Sequence, residues 1–122
     1  MKTVSNTLTV KDIALRAYHG VYEHEREEGN DFLVSVSLDF DAVCAMQYDD
    51  LENTVNYAEV VDVVEREMAV PSALIENVAW RIANALLEAF PGVEGGKVAV
   101  TKVNTPIPVP TGGATFTLEF KK

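Results

Sequence analysis

Residues 32–40, FLVSVSLDF, carry the most regular pattern in this 122-residue chain. Every second side chain from Phe32 to Phe40 is apolar, and Ser35, Ser37 and Asp39 stand between them. An alternation of period two is typical of a strand that has one packed face and one face in water. Residues 32–40 are therefore predicted to form a long strand of a sheet.

Three further strands are predicted, one before residues 32–40 and two after them. Residues 7–17 alternate in the same way, with one slip at Lys11-Asp12 that indicates a bulge. The acidic segment 23–30, closed by Gly29, is interpreted as a loop. The last two strands are predicted from their apolar positions, which are Val98, Val100 and Val103 in one and Phe116, Leu118 and Phe120 in the other. The proline-rich segment 104–113 connects them and cannot be a central strand.

Two amphipathic helices are predicted between the second and third strands. The first begins at Asn56, which forms a capping-box pattern with Glu59. It ends at Pro71-Ser72, and Ser72 is expected to cap the second helix, which Pro91-Gly92 ends. The apolar stripes are Val60, Val61, Val64 and Met68 on the first helix, and Leu74, Ile75, Val78, Ala79, Ile82, Leu86 and Phe90 on the second.

The order of elements is therefore ββααββ. It predicts an α+β fold in which an antiparallel four-stranded sheet carries two helices on one face. No repeat or linker divides the sequence, so we expect residues 1–122 to form a single domain. Because the sheet would have two free edges, we expect homo-oligomers that form by edge-to-edge extension of the sheet.

The composition excludes several classes of function. Ten Lys and Arg residues against nineteen Asp and Glu residues give a formal net charge of −9, which disfavours nucleic acid and anionic membranes as partners. The N-terminal residues lack the apolar core of a signal peptide, so we expect a cytoplasmic protein. The single cysteine, Cys44, is interpreted as a buried and inert thiol. No metal-ligand set, dinucleotide motif or nucleophile elbow is present, and no metal or cofactor is expected.

Four polar residues lie at the ends of predicted elements, and each has an ordinary structural explanation. Lys102 fits a charge that guards a strand edge, and Glu76 fits an acid favoured by the first turn of a helix. Tyr57 fits half-buried packing, and Glu25 belongs to a solvated acidic run. The spacing of these residues alone assigns no chemical role to any of them.

Taken together, the segments that contain these residues resemble the dihydroneopterin aldolase family. The segments are YHGVYEHERE at 18–27, DDL at 49–51 with TVNYAE at 54–59, LIENVAWRI at 74–82, and VTK at 100–102 with PIP at 106–108. They occur in the family's order and spacing over nearly the whole chain. The resemblance implies the tunnelling fold, in which ββααββ units join their sheets around a ring. It also implies an octamer of two stacked tetrameric rings with sites between subunits.

The reaction that the resemblance implies is a retro-aldol cleavage in folate biosynthesis. The substrate is 7,8-dihydroneopterin, and the products are 6-hydroxymethyl-7,8-dihydropterin and glycolaldehyde. A carbanion formed by C–C cleavage is usually stabilised by a metal or a lysine Schiff base. The reduced pterin ring already carries a conjugated C=N that accepts these electrons, so neither is needed.

The resemblance also implies roles for individual residues. Glu76 anchors the pterin through two parallel hydrogen bonds, and Ile75 adds a backbone contact beside it. Lys102 is the catalytic lysine that acts on the substrate hydroxyls. Tyr57 lies near the ring and relays a proton to the enamine, while Glu25 closes over the substrate side chain. Both of these residues are thus expected to serve in catalysis and in substrate binding.

Two alternatives stay open from the sequence. An epimerase of dihydroneopterin, or of its triphosphate, would pass through the same cleaved intermediate, and a triphosphate would call for basic residues such as Arg26 and Lys97 at the pocket mouth. A non-catalytic ring that binds a pterin or purine would need Glu76 but neither Lys102 nor Tyr57.

Overall fold

The computed structural model describes residues 1–122. Its strands are β1 (Thr7–Ala17), β2 (Asn30–Phe40), β3 (Val93–Lys102) and β4 (Ala114–Lys121). Its helices are α1 (Glu23–Glu28), α2 (Val43–Tyr48), α3 (Tyr57–Met68) and α4 (Ile75–Ala89), with a 3-10 turn at Leu51–Asn53. No helix combines the length and the hydropathy that crossing a membrane requires.

The four strands form one antiparallel sheet in the order β1-β2-β3-β4, which leaves β1 and β4 at its edges. The predicted α+β fold with a four-stranded antiparallel sheet is therefore confirmed. In β1 the register shifts between Val10 and Ile13, which confirms the bulge. Asp12 takes a left-handed conformation there with φ 52°, and its N–H donates to Ser35 Oγ at 3.0 Å.

The core lies between the sheet and the two long helices. Helix α3 packs against β1, and α4 packs against β3 and β4. A cluster of 18 buried residues fills this space, and β2 contributes every second residue from Phe32 to Leu38. The opposite face of the sheet is polar, with hydrogen bonds between the hydroxyls of Thr9 and Ser37 and of Thr101 and Thr115. Strand β2 thus has one packed face and one polar face, as its alternation predicts.

The cap and the buried stripe of α3, and the start of α4, agree with the predictions only in part. Asn56 caps α3 as predicted, because its side chain accepts the N–H of Ala58 at 2.9 Å. The buried stripe of α3 contains Val63 rather than Val61. The expectation that Ser72 caps α4 is wrong, since the helix begins only at Ile75 and the Ser72 side chain bonds elsewhere.

Two further expectations are wrong. The acidic segment interpreted as a loop forms α1, whose first turn contains acids that the helix dipole favours, and Gly29 ends it at φ 76°. Cys44 is exposed rather than buried, because β2 ends at Phe40 and the chain turns into α2.

The third strand begins earlier than predicted, at Val93. The expectation missed residues 93–97 because Gly95 and Gly96 interrupt the apolar pattern. Both positions face close backbone neighbours, and a side chain on Gly96 would overlap the carbonyl group of Ser37. These glycines therefore belong to the sheet, although their composition suggests a turn.

Candidate active site

A buried ion pair joins α1 to the end of β3. Lys102 Nζ and Glu25 Oε2 lie 2.7 Å apart, and their side chains are 12% and 5% exposed. Lys102 is the last residue of β3, and Glu25 lies in the first turn of α1. Two of the four residues singled out in the sequence are thus in direct contact, 77 positions apart in the chain.

Helix α1 directs Glu25 inward because the segment before it leaves room. A side chain on Gly20 would overlap that of Glu25, so only glycine fits there. Glu25 Oε1 accepts the N–H of Tyr22 at 3.3 Å. Arg26 Nη1 donates to the carbonyl oxygens of Gly20 and Val21, both at 2.9 Å, which holds the segment against the helix.

The surroundings of Glu25 favour its carboxylate form. Burial by itself would raise its pKa, but the hydrogen bonds from Lys102 and from the Tyr22 N–H, with the charges of Lys102 and His24, lower the pKa below its usual value. Glu25 is therefore a carboxylate at neutral pH.

Two hydrogen bonds of the Ser72 backbone connect the region around the Lys102–Glu25 ion pair to the loop before α4. We call this contact the Ser72 junction. The N–H of Ser72 donates to His19 Nδ1 at 3.0 Å, and the N–H of Gly20 donates to the Ser72 carbonyl at 3.0 Å. His19 is fully buried, and its ring meets Phe32 edge to face at 5.2 Å. The two hydrogen bonds run in opposite directions and hold the loop against the segment that precedes α1.

The His19 ring accepts this hydrogen bond because it is neutral. Its pKa is lowered from 6.5 to about 4, mainly by burial and also by the positive charges of Arg81 and Lys102, against the opposing effect of the Met68 carbonyl. A protonated ring would present an N–H at Nδ1, facing the N–H of Ser72. The junction thus exists only with a neutral histidine.

Glu76 and Ile75 lie just beyond this junction, in the first turn of α4. Ile75 is half-buried against the core. Glu76 is exposed, and its carboxylate takes part in none of the hydrogen bonds within the chain. The carboxylate is therefore free to accept hydrogen bonds from a ligand.

Tyr57 lies apart from the other candidate residues. It is the first residue of α3 and is 65% exposed, whereas Met68, at the other end of α3, lies next to His19. At 1.5 Å per residue, the helix places Tyr57 on the order of 16 Å from Met68. A single chain thus brings Glu25 and Lys102 together, with Glu76 joined to them through the Ser72 junction, and leaves Tyr57 at the far end of the helical layer.

A cavity lies near the N-terminal end of α3. The cavity has a volume of about 340 Å³ and is lined in part by residues 52–55, immediately before α3, and by Phe40 and Phe90. A second cavity of about 270 Å³ adjoins the ion pair, between α1 and the segment after Lys102. Of the candidate residues, only Glu25 lines either cavity.

Asn30 was not predicted to support the site. Its buried side chain donates to the Asn104 carbonyl at 2.6 Å and accepts from the Asn104 N–H at 3.3 Å, which ties down the segment after Lys102. His19 and Ser72 were also missed as supporting residues. The only signal in the sequence was their position beside glycine or proline, because their partners lie far away in the chain.

Known proteins resemble this chain along most of its length. The family model described as dihydroneopterin aldolase matches residues 8–119. The dihydroneopterin aldolase of Streptomyces coelicolor is 41% identical over 115 residues, covering 91% of this chain and 93% of that protein. The enzyme of Bacillus subtilis is 40% identical over 103 residues, covering 81% and 83%.

Solved structures share the fold. A putative dihydroneopterin aldolase from Vibrio cholerae superposes with a TM-score of 0.90 at 20% identity, covering 98% of this chain and 100% of that one. The E. coli dihydroneopterin aldolase in complex with neopterin gives a TM-score of 0.81 at 19% identity, covering 93% and 98%. A uricase from Bacillus fastidious gives 0.69 at 11% identity, covering 94% of this chain but 42% of its own. The family match, the identity to the curated enzymes and the shared fold together make this chain a member of the dihydroneopterin aldolase family.

Proposed function

We propose that the corner formed by Glu25, Lys102 and Glu76 cleaves the side chain of 7,8-dihydroneopterin by a retro-aldol reaction. Dihydroneopterin aldolase activity follows from the family match and from about 40% identity to curated enzymes over most of the chain. The residue roles below are the proposal. The observation that carries them is the buried Lys102–Glu25 ion pair, because a lysine held at a fixed place next to an acid is suited to proton transfer.

The reaction begins at the side-chain hydroxyl of the substrate. Lys102, acting through a water molecule, removes the proton from the C2′ hydroxyl as the C1′–C2′ bond breaks. The electron pair passes into the ring C=N and forms an enamine, and C2′ leaves as the aldehyde carbon of glycolaldehyde. A proton then adds to C1′, which restores the ring C=N and gives 6-hydroxymethyl-7,8-dihydropterin. Lysine acts as a base only in its neutral form, and Glu25, in direct contact with Nζ, holds the side chain in place rather than taking its proton, because the pKa of Glu25 is lowered.

Binding is assigned to the first turn of α4. The exposed carboxylate of Glu76 accepts two hydrogen bonds from the pterin, one from its amino group and one from the adjacent ring N–H. The backbone of Ile75 lies beside the ring. Since Glu76 has no partner within the chain, the ligand does not have to displace one.

Tyr57 enters the site from a neighbouring subunit in this proposal. It lies at the far end of α3 from the ion pair, so it cannot act on the same substrate within one chain. The free edges of β1 and β4 support a ring in which sheets pair edge to edge, and the proposed assembly is an octamer of two stacked tetramers. The Tyr57 hydroxyl then supplies the proton that adds to the enamine.

A triphosphate substrate finds less support. Arg26 is engaged with the carbonyl oxygens of Gly20 and Val21. Lys97 lies five positions before Lys102 on β3, roughly 17 Å away, and faces Glu119 on the neighbouring strand. Neither cation is free at the corner to bind a phosphate.

The direct test is to incubate the protein with 7,8-dihydroneopterin and to separate the pterin products. We expect 6-hydroxymethyl-7,8-dihydropterin from the wild-type chain and none from Lys102→Met. Since removal of Lys102 leaves a buried carboxylate unpaired at a cost of about 3–5 kcal/mol, the double variant Glu25→Gln/Lys102→Met serves as a folded inactive form. Lys97→Met, on the same strand, is the matched control. An epimer as the only product would contradict the proposal.

A further inference from the structure

Arg81 uses every nitrogen of its guanidinium group to bind the end of α3, the loop that follows it and the first turn of α4. Nη1 donates to the carbonyl oxygen of Glu67 at 2.8 Å and to its Oε1 at 3.1 Å. Nη2 donates to the Val70 carbonyl and to Ser72 Oγ, both at 2.8 Å, and Nε reaches Asn77 Oδ1 at 3.4 Å. One side chain thus joins the end of α3, the loop and the first turn of α4.

Ser72 extends this network to the other side of the corner. Its hydroxyl donates to Asn77 Oδ1 at 2.7 Å while accepting from Arg81. Its backbone N–H and carbonyl bond His19 and Gly20. All the hydrogen-bonding groups of this buried serine are therefore used, and they link the segment that holds Glu25 to the start of α4.

We propose that Arg81 and Ser72 are positioning residues that set the spacing between Glu76 and the Lys102–Glu25 pair. Asn77, which both residues bind, is adjacent to Glu76 in the first turn of α4. This inference rests on the proposed function, in which Glu76 anchors the pterin. A fixed anchor places the substrate side chain at Lys102, and a displacement of about 1 Å is enough to weaken such a site.

The network is not needed for α4 itself to form. That helix buries Val78, Ala79, Ile82, Ala83 and Leu86 against the sheet, and this apolar face holds it in place. The bonds of Arg81 and Ser72 gather instead at its first turn. Loss of these hydrogen bonds therefore changes the position of Glu76 more than it affects the formation of the helix.

Two variants test the proposal. Ser72→Ala removes the hydroxyl and keeps the backbone bonds, and Arg81→Lys keeps the charge but loses the fork that binds several acceptors at once. We expect each variant to raise KM for 7,8-dihydroneopterin and Kd for neopterin about tenfold, because Glu76 is no longer held in place, and to lower kcat about tenfold, because the displaced substrate side chain no longer meets Lys102. Arg66→Lys, an exposed arginine on α3, is the matched control and should change none of these constants.

A double-mutant cycle shows whether the effect passes through Glu76. If it does, Ser72→Ala raises Kd for neopterin in the wild-type background and has little effect in a Glu76→Gln background. Equal effects in both backgrounds, or unchanged Kd and KM in both variants, would overturn the inference. If Glu76→Gln binds neopterin as the wild type does, the role proposed for Glu76 as the anchor fails, whatever the effects of Ser72→Ala and Arg81→Lys. Should Arg81→Lys not fold by circular dichroism, Ser72→Ala decides the question.

Discussion

The hydrogen bond from Ser72 to His19 depends on the charge state of one buried residue. The ring is neutral because it is buried and lies near two cations, and only a neutral ring accepts the N–H of Ser72. Glu25, on the other side of Gly20, is kept charged by Lys102 although it is buried too. The two groups therefore differ in charge because the positive charge of Lys102 adds to the effect of burial on His19 and opposes it on Glu25.

The lowered pKa of His19 predicts how stability depends on pH. The pKa of the folded form, about 4, lies below the unfolded value of 6.5, so the stabilisation is complete above pH 6.5 and is lost as the pH falls toward 4. The full loss is on the order of 3 kcal/mol. Urea unfolding between pH 7 and about pH 5 should show this slope in the wild type.

The control variants separate His19 from other groups. His19→Gln keeps an acceptor for Ser72 without a titrating ring, and its free energy of unfolding should be nearly flat over that range. His24→Gln, at an exposed position, should keep the wild-type slope. Glu25 acts only at lower pH, because its pKa lies below 4.5. Identical slopes in wild type and His19→Gln would contradict the prediction.

Among the elements, α1 is the one whose presence most affects the site. It is a helix of six residues, too short to be stable by itself, and it exists because its surroundings hold it. Arg26 bonds the chain that precedes it, Lys102 binds Glu25 on its inner face, and Gly20 leaves the space that Glu25 fills. A local acidic sequence is folded here by partners from elsewhere in the chain.

Gly20→Ala tests that packing. The added methyl group would overlap Glu25, so we expect Glu25 to move away from Lys102 and turnover of 7,8-dihydroneopterin to fall by about two orders of magnitude, with a stability cost of about 1–3 kcal/mol. Gly92→Ala is the control, since nothing lies within 4 Å of its added carbon. Steady-state kinetics and thermal unfolding give the two readouts, and wild-type turnover in Gly20→Ala would refute the role of this contact.

At the scale of the whole molecule, the separation of Tyr57 from the ion pair is the feature with the widest consequence. Two groups proposed for one reaction lie at opposite ends of α3, and both sheet edges are free. The proposed ring brings the far end of one chain to the corner of the next. The acidic net charge of −9 fits a neutral pterin substrate, which needs no basic funnel.

Complementation between inactive subunits tests the shared site. Tyr57→Phe and Lys102→Met are each expected to be nearly inactive as pure proteins. After the two are mixed, unfolded together and refolded, about one quarter of the sites should combine an intact Tyr57 with an intact Lys102, and activity should return to about that level. Size-exclusion chromatography with light scattering checks the assembly. No recovery in a mixed oligomer would contradict a shared site.

The sequence alone was sufficient to predict the features that depend on local patterns. Strand β2, the bulge at Asp12 and the cap at Asn56 depend on neighbours a few positions away, and each was predicted correctly. Local patterns failed to predict the structure of segments that are stabilised by residues far away in the chain. Helix α1 and the β3 residues 93–97 were missed for that reason. Cys44 was expected to be buried from its apolar neighbours, but it lies on α2, which has no buried residue.

For the site, the sequence determined which side chains are available, and the tertiary structure decided which of them meet. The resemblance singled out Glu25 and Lys102, but only the fold pairs them at 2.7 Å, because β3 ends where α1 begins its first turn. The bonds of Ser72 to His19 and Arg81 leave no pattern in the sequence. Local periodicity records which face of an element is buried, whereas contacts between polar groups far apart in the chain exist only once the apolar core has fixed the elements in place.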